Sequence, residues 1–493
     1  MAQILAPTLF SWDDFEARSD LDRFILVRDN LPDEKIIRYL EVMRGNGSND
    51  YPVLPMWNAL IAGIVFQHPS IASLTREMSR NPGLMESCGF NPAPIQKKTV
   101  ATLVRNDETG RMEIVHSQPE EPKYVAPKSH NFSRFLANVI ELEETLGMVS
   151  GLTVTLRQLL MDELPDFGLH LGFDGKPVQS KSTGQINQKT KQTSDPDADW
   201  GKHETHGIDT KTGKAWSKIK SWFGYGLHII ADTKYEIPVA FEVTPASHSE
   251  HTVLRRLIRS TFGENPQLAD RCQDFTADRG LDSAETKTML LDEYNIRPII
   301  DTRLLWNREK NDPDYDPSKP IIRPLFSERE DTIFYSEKGV VYCICPVSKD
   351  MRQLSYQGFE ADRESIKYRC PAAASGTECL GKEQCHIAGG VNPGEFGRII
   401  RVPIGTDRRV FTPTPQGTKG WKFAYNRRSS LERINSRIDN SFGFEYHFIR
   451  GQAKMQTRVG LALAVMMAMA LGHARANRLE QMRSLVKPIK KAS

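Results

Sequence analysis

Apolar residues recur every three to four positions through the first third of the chain, and in short alternating or continuous runs after it. The first spacing builds one face of a helix; the second builds strands. Ser11, ahead of Trp12-Asp13-Asp14-Phe15, predicts a helix N-cap. Leu54, Met56, Trp57, Leu60, Ile61, Ile64 and Val65 predict another helix. Pro55 falls in its first turn, where a missing N–H breaks no helical bond. A further helix begins at Ser70. Residues 105–127 have the prolines and charges of a linker or exposed excursion, and helices are expected again at 132–146 and 153–162.

The period changes near residue 168. Leu169-His170-Leu171-Gly172-Phe173 predicts a strand ending in Asp174 and a turn at Gly175. Residues 179–220 are polar, with almost no core-forming side chains. Tyr225-Gly226-Leu227-His228-Ile229-Ile230 and Ile237-Pro238-Val239-Ala240-Phe241 read as strands joined by a turn at 232–236. An amphipathic helix follows at 251–259. Phe275-Thr276-Ala277 reads as a strand ending in Asp278 and a turn at Gly280, with a helix at 283–294 and a strand at 296–301. Strand, strand, strand, helix, strand, helix, strand is the succession of an RNase H-like α/β fold, a mixed sheet flanked by helices. Its last helix is expected only at 430–438, so 302–418 reads as an insertion. The chain then divides into four parts. Residues 1–165 read as a helical N-terminal region, and 166–301 as the first part of the α/β unit. Residues 302–418 form a small Cys-rich insertion, and 419–493 the final helices and a basic tail.

Composition narrows the class. At 493 residues the chain exceeds one typical domain, and 39% hydrophobic with 26% charged residues is ordinary for a soluble globular protein. The longest apolar run, 461–471, is about half of what a bilayer needs. The start has no basic segment leading into an apolar one, so neither membrane nor secretion is expected, and a cytoplasmic location is. The net charge of +3 says little, but its distribution says more. Residues 398–493 hold 19 Lys and Arg against 5 Asp and Glu, the excess a phosphate-binding surface needs and a solvated basic tail also shows.

Asp174 and Asp278 each end an expected strand, at the sheet edge where α/β folds gather ligands. An Asp before Gly is ordinarily a turn residue; their placement within this succession is what marks these two. Adjacent strand ends bring the carboxylates close, and close carboxylates repel unless a cation neutralises them. Mg²⁺ or Mn²⁺, as a pair of ions, suits such oxygens and can act on both oxygens of a phosphoryl displacement. Glu432, on a helix beside the sheet, is the candidate third carboxylate.

The segment around Glu432 runs Tyr425-Asn426-Arg427-Arg428-Ser429-Ser430-Leu431-Glu432 and continues to Asp439. It resembles the DDE transposases of bacterial insertion sequences, in the branch with a Y-x2-R-x3-E-x6-K signature. Tyr425, Arg428 and Glu432 match at that spacing; Asp439 stands where the pattern has Lys, with Arg437 nearby as a partial substitute. Leu171-Gly172-Phe173-Asp174-Gly175 and Thr276-Ala277-Asp278-Arg279-Gly280 resemble the strands of the first and second Asp in that family. The resemblance extends from about residue 51 to about 451. It implies cleavage of double-stranded DNA at element ends, then attack of the exposed 3′-OH on target DNA. Asp174, Asp278 and Glu432 would hold the ions, and Tyr425, Arg428 and Arg437 the phosphates, in a homo-oligomer that pairs two ends. The other readings are a catalytically silent DNA-binding descendant and an RNase H-like nuclease without strand transfer.

Five of seven cysteines lie between 343 and 385. Cys345, Cys370, Cys379 and Cys385 form a candidate tetrahedral zinc site, with Cys343 an alternative first ligand, and unliganded thiols are the plain alternative. His203-Glu204-Thr205-His206 lacks the spacing of a zinc-protease helix and reads as a solvated loop. The Met-rich run 465–470 reads as a helix packed on the sheet, and Arg475, Arg478, Arg483, Lys487, Lys490 and Lys491 as a basic surface.

Overall fold

The computed structural model describes residues 12–46, 51–90, 101–105, 110, 112–116, 126–208, 215–303, 306, 320–328, 330–389 and 396–482. The expected cap at Ser11 and the end of the basic tail, from Arg483, lie outside them.

The fold is mixed α/β and RNase H-like, with a helical N-terminal region. Helices at Trp12–Asn30, Glu34–Arg44, Val53–Val65, Ile71–Arg80, Pro82–Cys88, Ser129–Leu146 and Met148–Glu163 occupy the first 165 residues. Pro55 lies in the first turn of the third, and the Ser70 hydroxyl caps the fourth by accepting from the Ser73 N–H at 3.2 Å. The polar 105–127 stretch is not wholly a linker: Ala101–Arg105 and Met112–His116 pair as an antiparallel hairpin.

The central sheet has six strands: β1 (His170–Gln179), β2 (Asp199–Ile208), β3 (Ala215–Asp232), β4 (Ile237–Pro245), β5 (Asp274–Ala277) and β6 (Arg297–Ile300). Their order is β2-β3-β1-β5-β6, with β4 also on β3. β3 and β4 run antiparallel to their neighbours, whereas β1, β5 and β6 are parallel. Two expectations change here. β1 does not turn after Asp174; it continues five residues to Gln179, still paired with β3. The polar 179–220 stretch is not all loop, since β2 and the first half of β3 form a long antiparallel ribbon. Lacking a core-facing alternation, those strands carried no periodic signal.

Helices flank both faces: α1 (Glu250–Glu264), α2 (Ser429–Asn440) and α3 (Gln452–Arg475). Gly172 and Gly175 of β1 point to opposite faces because strand side chains alternate. A Cβ at Gly172 would lie 3.0 Å from Leu431 of α2, and one at Gly175 2.7 Å from the Glu250 carboxylate of α1. The absence of two side chains thus lets both helices close on the strand that carries Asp174. α3 holds the Met-rich run as expected. It is long and apolar enough to cross a bilayer, contrary to the expectation from run length, yet it is mostly buried among protein neighbours. It packs on Met148–Glu163, Trp12–Asn30 and β4. N-terminal helices, sheet and α3 share one core. The 302–418 stretch has its own smaller core around Ile333, Val341, Ile366, Val402 and Phe411, under two antiparallel sheets of four and three strands.

Candidate active site

Asp174 sits mid-β1 on the α2 face, and Asp278 immediately follows β5, in register beside it. Glu432 lies in the first turn of α2. Two of the three meet at one guanidinium. Arg428 donates to Glu432 at 2.8 Å and lies 4.0 Å from the Asp278 carboxylate. Its charge also pulls on the half-buried Asp174 carboxyl, which burial nevertheless pushes up to about 6, with Asp278 and Glu250 adding to the rise. Asp174 and Glu432 line one open cleft with Asn435, Ser436, Asp439, Asn440 and Glu445. Asn435 donates to Asp174 at 2.8 Å.

Tyr425 ends a separate short helix, Lys419–Asn426, where it stacks on Trp421 with ring centroids 4.7 Å apart. Arg428 passes 5.9 Å over its ring. Tyr425, Arg428 and Glu432 are therefore successive neighbours, each touching the next. Arg437 goes elsewhere: it pairs with the Glu236 carboxylate and donates to the Glu236 carbonyl at 3.2 Å, so it does not stand in for the missing signature Lys. Asp439 pairs instead with Lys176, two residues beyond Asp174 on the same face of β1.

The donor set suits a hard divalent cation in kind: carboxylate oxygens, one of them pushed up to about 6 by burial. Arg428 supplies the shared positive charge here, and among the described residues no three His, Cys, Asp or Glu side chains converge as a metal cage.

The five clustered cysteines line a single cavity in the insertion, together with His386 and Arg398. Hydrogen bonds from Ser348, its backbone N–H 3.4 Å from Sγ among them, draw the Cys345 thiol down to about 7. Burial pushes Cys343 up to about 12, and the neighbouring Cys370, Cys385 and Cys379 push the same way. Cys385 Sγ is 3.1 Å from the Thr332 hydroxyl and 3.6 Å from Arg398. The thiols are neighbours without closing into a tetrahedron.

Residues 173–355 match the family model described as transposase DDE domain. Over these residues the chain is similar to a transposase DDE domain. The matched stretch holds Asp174 and Asp278 and ends before Glu432, which rests on its motif and on its place beside Arg428. A search of curated proteins finds no match.

Reasoning from sequence missed three residues. Asn435 is three after Glu432, a helical neighbour that spacing alone offered. Lys176 shares a strand face with Asp174, and the departure at Asp439 was its signal. Glu250 had none: α1 and the bare Gly175 bring it to the site from 76 residues away in sequence. Loss of solvent raises its carboxyl, Asp278 adds to that, and His203 opposes it.

Proposed function

We propose that this chain is a transposase, cleaving DNA strands at the ends of a mobile element and joining the exposed 3′-OH to target DNA. In this reading Asp174, Asp278 and Glu432 hold two Mg²⁺ or Mn²⁺ ions. Bound ions would polarise the attacking and leaving oxygens of the phosphodiester. The chain's own groups do the rest. Arg428 would offer its guanidinium to a phosphate oxygen, with the Tyr425 ring beneath it. Asn435 orients Asp174, and Asp439 holds Lys176 toward the cleft. The observation that supports the reading is that Arg428 reaches both Asp278 and Glu432 while Asp174 lines the same cleft as Glu432.

The same proposal includes membership of the Y-R-E-K branch of bacterial insertion sequences, action in the cytoplasm at the nucleoid, and a homo-oligomer pairing two DNA ends. Residues 1–165 would serve DNA binding or dimerisation, 166–301 with 419–493 the catalytic core, and 302–418 a support stapled by zinc through Cys345, Cys370, Cys379 and Cys385. The shared cavity of these thiols supports the last point, and elemental analysis at about one zinc per chain, lost on Cys379→Ser, tests it.

The experiment for the chemistry is supercoiled plasmid and end-containing duplex with Mg²⁺ or Mn²⁺. Cutting that survives Asp174→Ala, Asp278→Ala and Glu432→Ala would remove the assignment. Nicked but never joined products would favour a nuclease, and binding with no cleavage a silent descendant.

A further inference from the structure

We infer that the β2–β3 ribbon is an arm that grips duplex DNA beside the cleavage point. The inference rests on the reading of DNA as substrate and adds the surface that holds it.

The register fixes where the arm goes. β1 runs from Asp174 to Gln179, and Gln179 pairs with Gly224 of β3. There β3 leaves the sheet's body and continues back to Ala215, paired only with β2 from Asp199 to Ile208. Nine residue steps at about 3.3 Å carry the ribbon roughly 30 Å beyond the sheet, past the edge where Asp174 and Asp278 lie. His203 of β2 lies near enough to Glu250 of α1 to lower its carboxyl, so the lower ribbon runs beside that helix end.

The arm has the surface of a binding element. From Trp216 to Ser221 every residue is exposed, so side chains on both faces meet solvent. Trp216 is 45% exposed and Ile219 62%, with no core of their own to enter. Lys202, Lys218 and Lys220 have no acidic partner among the described residues, and Glu204 accepts from the Ser217 hydroxyl at 2.9 Å. Lys220 stands across from His203 and Lys218 across from Thr205, so both lysines share a face that carries no carboxylate among the described residues. A two-stranded ribbon is marginal in water by itself, so its length asks for a partner. Its charge selects that partner: unpaired lysines answer a phosphate backbone, and the major groove, about 12 Å wide, admits a two-stranded ribbon whose apolar side chains meet base edges.

The test uses the full chain and a fluorescent 40-base-pair duplex of arbitrary sequence, with anisotropy measured across a salt series and without divalent ions. The triple variant K202Q/K218Q/K220Q should bind ten- to a hundred-fold more weakly, with the log Kd against log salt slope reduced by about 2 to 3. Trp216→Ala should weaken binding several-fold and leave that slope alone. Should the triple variant match the wild type in both affinity and slope, the arm is not the grip. That result leaves the DNA reading standing, whereas a wild-type chain that binds no duplex at all overturns both. A Trp216→Ala change in assembly mass by sedimentation, with DNA affinity intact, would make the ribbon an interface between copies and end the proposal. Thermal melting that is equal for all variants establishes that each is folded.

Discussion

β3 is two strands in one. From Phe223 to Asp232 it is sealed: Tyr225, Leu227, Ile230 and Ala231 are fully buried, between β1 on one edge and β4 on the other. From Trp216 to Ser221 it is bare, paired only with β2. Both halves have the same backbone geometry, so the difference lies in what constrains them. The sealed half is fixed by the side chains it meets, and it fixes β1, which carries Asp174. The bare half holds its shape only by continuity with the sealed one. Changes to the sealed half and its neighbours should therefore be felt in stability and, through position, in chemistry. Changes to the bare half should be felt by the ligand alone.

The largest effect separates chemistry from folding altogether. Asp174→Ala, Asp278→Ala and Glu432→Ala are each expected to lower DNA cleavage by about 10³-fold or more, on the order of 4 kcal/mol in the barrier. Asp174→Ala should not lower the melting temperature near pH 7, because it removes a carboxylate that burial disfavours. Large losses of stability in these variants would mean the carboxylates serve the fold.

Gly172→Ala probes the sealed half from the other direction. The new methyl would lie 2.7 Å from Thr276 and 3.0 Å from Leu431, so α2 must shift away from β1. Overpacking of this kind costs about 1–3 kcal/mol. It should also reduce cleavage, because Glu432 follows Leu431. A variant that melts lower and cuts as well as wild type would uncouple helix position from the site.

His228 gives the sealed half a pH signature of similar size. Its ring stacks on Phe173 at 6.0 Å and shares a hydrogen with Thr244 at 3.0 Å, while burial holds its pKa down to about 4. Between pH 6.5 and 4 the unfolded chain takes up a proton that the folded chain refuses. Stability from this group is therefore present above 6.5 and lost as pH falls toward 4, by up to about 3 kcal/mol. Asp174 and Asp232, both raised to about 6, act in the opposite sense, so the measurement is a difference. Wild type minus His228→Gln, compared by chemical unfolding at pH 7 and pH 4.5, should show the variant losing less. Equal losses would mean the imidazole is not a source of acid sensitivity.

The same contrast explains what could be read from the sequence. The strand succession, α1, α2 and the buried Met-rich helix were legible because burial writes period 2 or 3.6 into a sequence. The ribbon was not: exposed on both faces, Trp216, Lys218 and Lys220 follow no burial rule, so 179–220 looked like loop. Asp174 was legible as a strand carboxylate, but its strand was cut short, because Gly175 reads as a turn when it in fact makes room for Glu250. Arg428 and Glu432 followed from helical spacing, whereas Tyr425, on a separate helix, came only from the signature. Arg437 was misjudged as a neighbour of the missing Lys, since closeness in sequence did not reveal Glu236 on the turn before β4. Lys176 and Asp439 are 263 residues apart, and only the fold pairs them.

That pair gives the smallest expected effect and stands where β1 runs out toward the ribbon. Lys176 is 11% exposed and Asp439 33%, between a surface pair and a buried one. Asp439→Ala leaves a nearly buried ammonium without its partner, which should cost about 1–2 kcal/mol, above the usual value for surface pairs. Lys176→Ala leaves a half-exposed carboxylate that water can reach, so it should cost less. If the pair were only a brace, K176D/D439K would restore both stability and DNA affinity. If Lys176 faces a phosphate, the swap should restore stability but move the cation from β1 to α2, so affinity for DNA recovers only in part. Urea unfolding of the four proteins gives the coupling, and duplex binding gives the second comparison. A coupling near zero would place the pair with the ribbon's solvated lysines, outside the sealed half of the molecule.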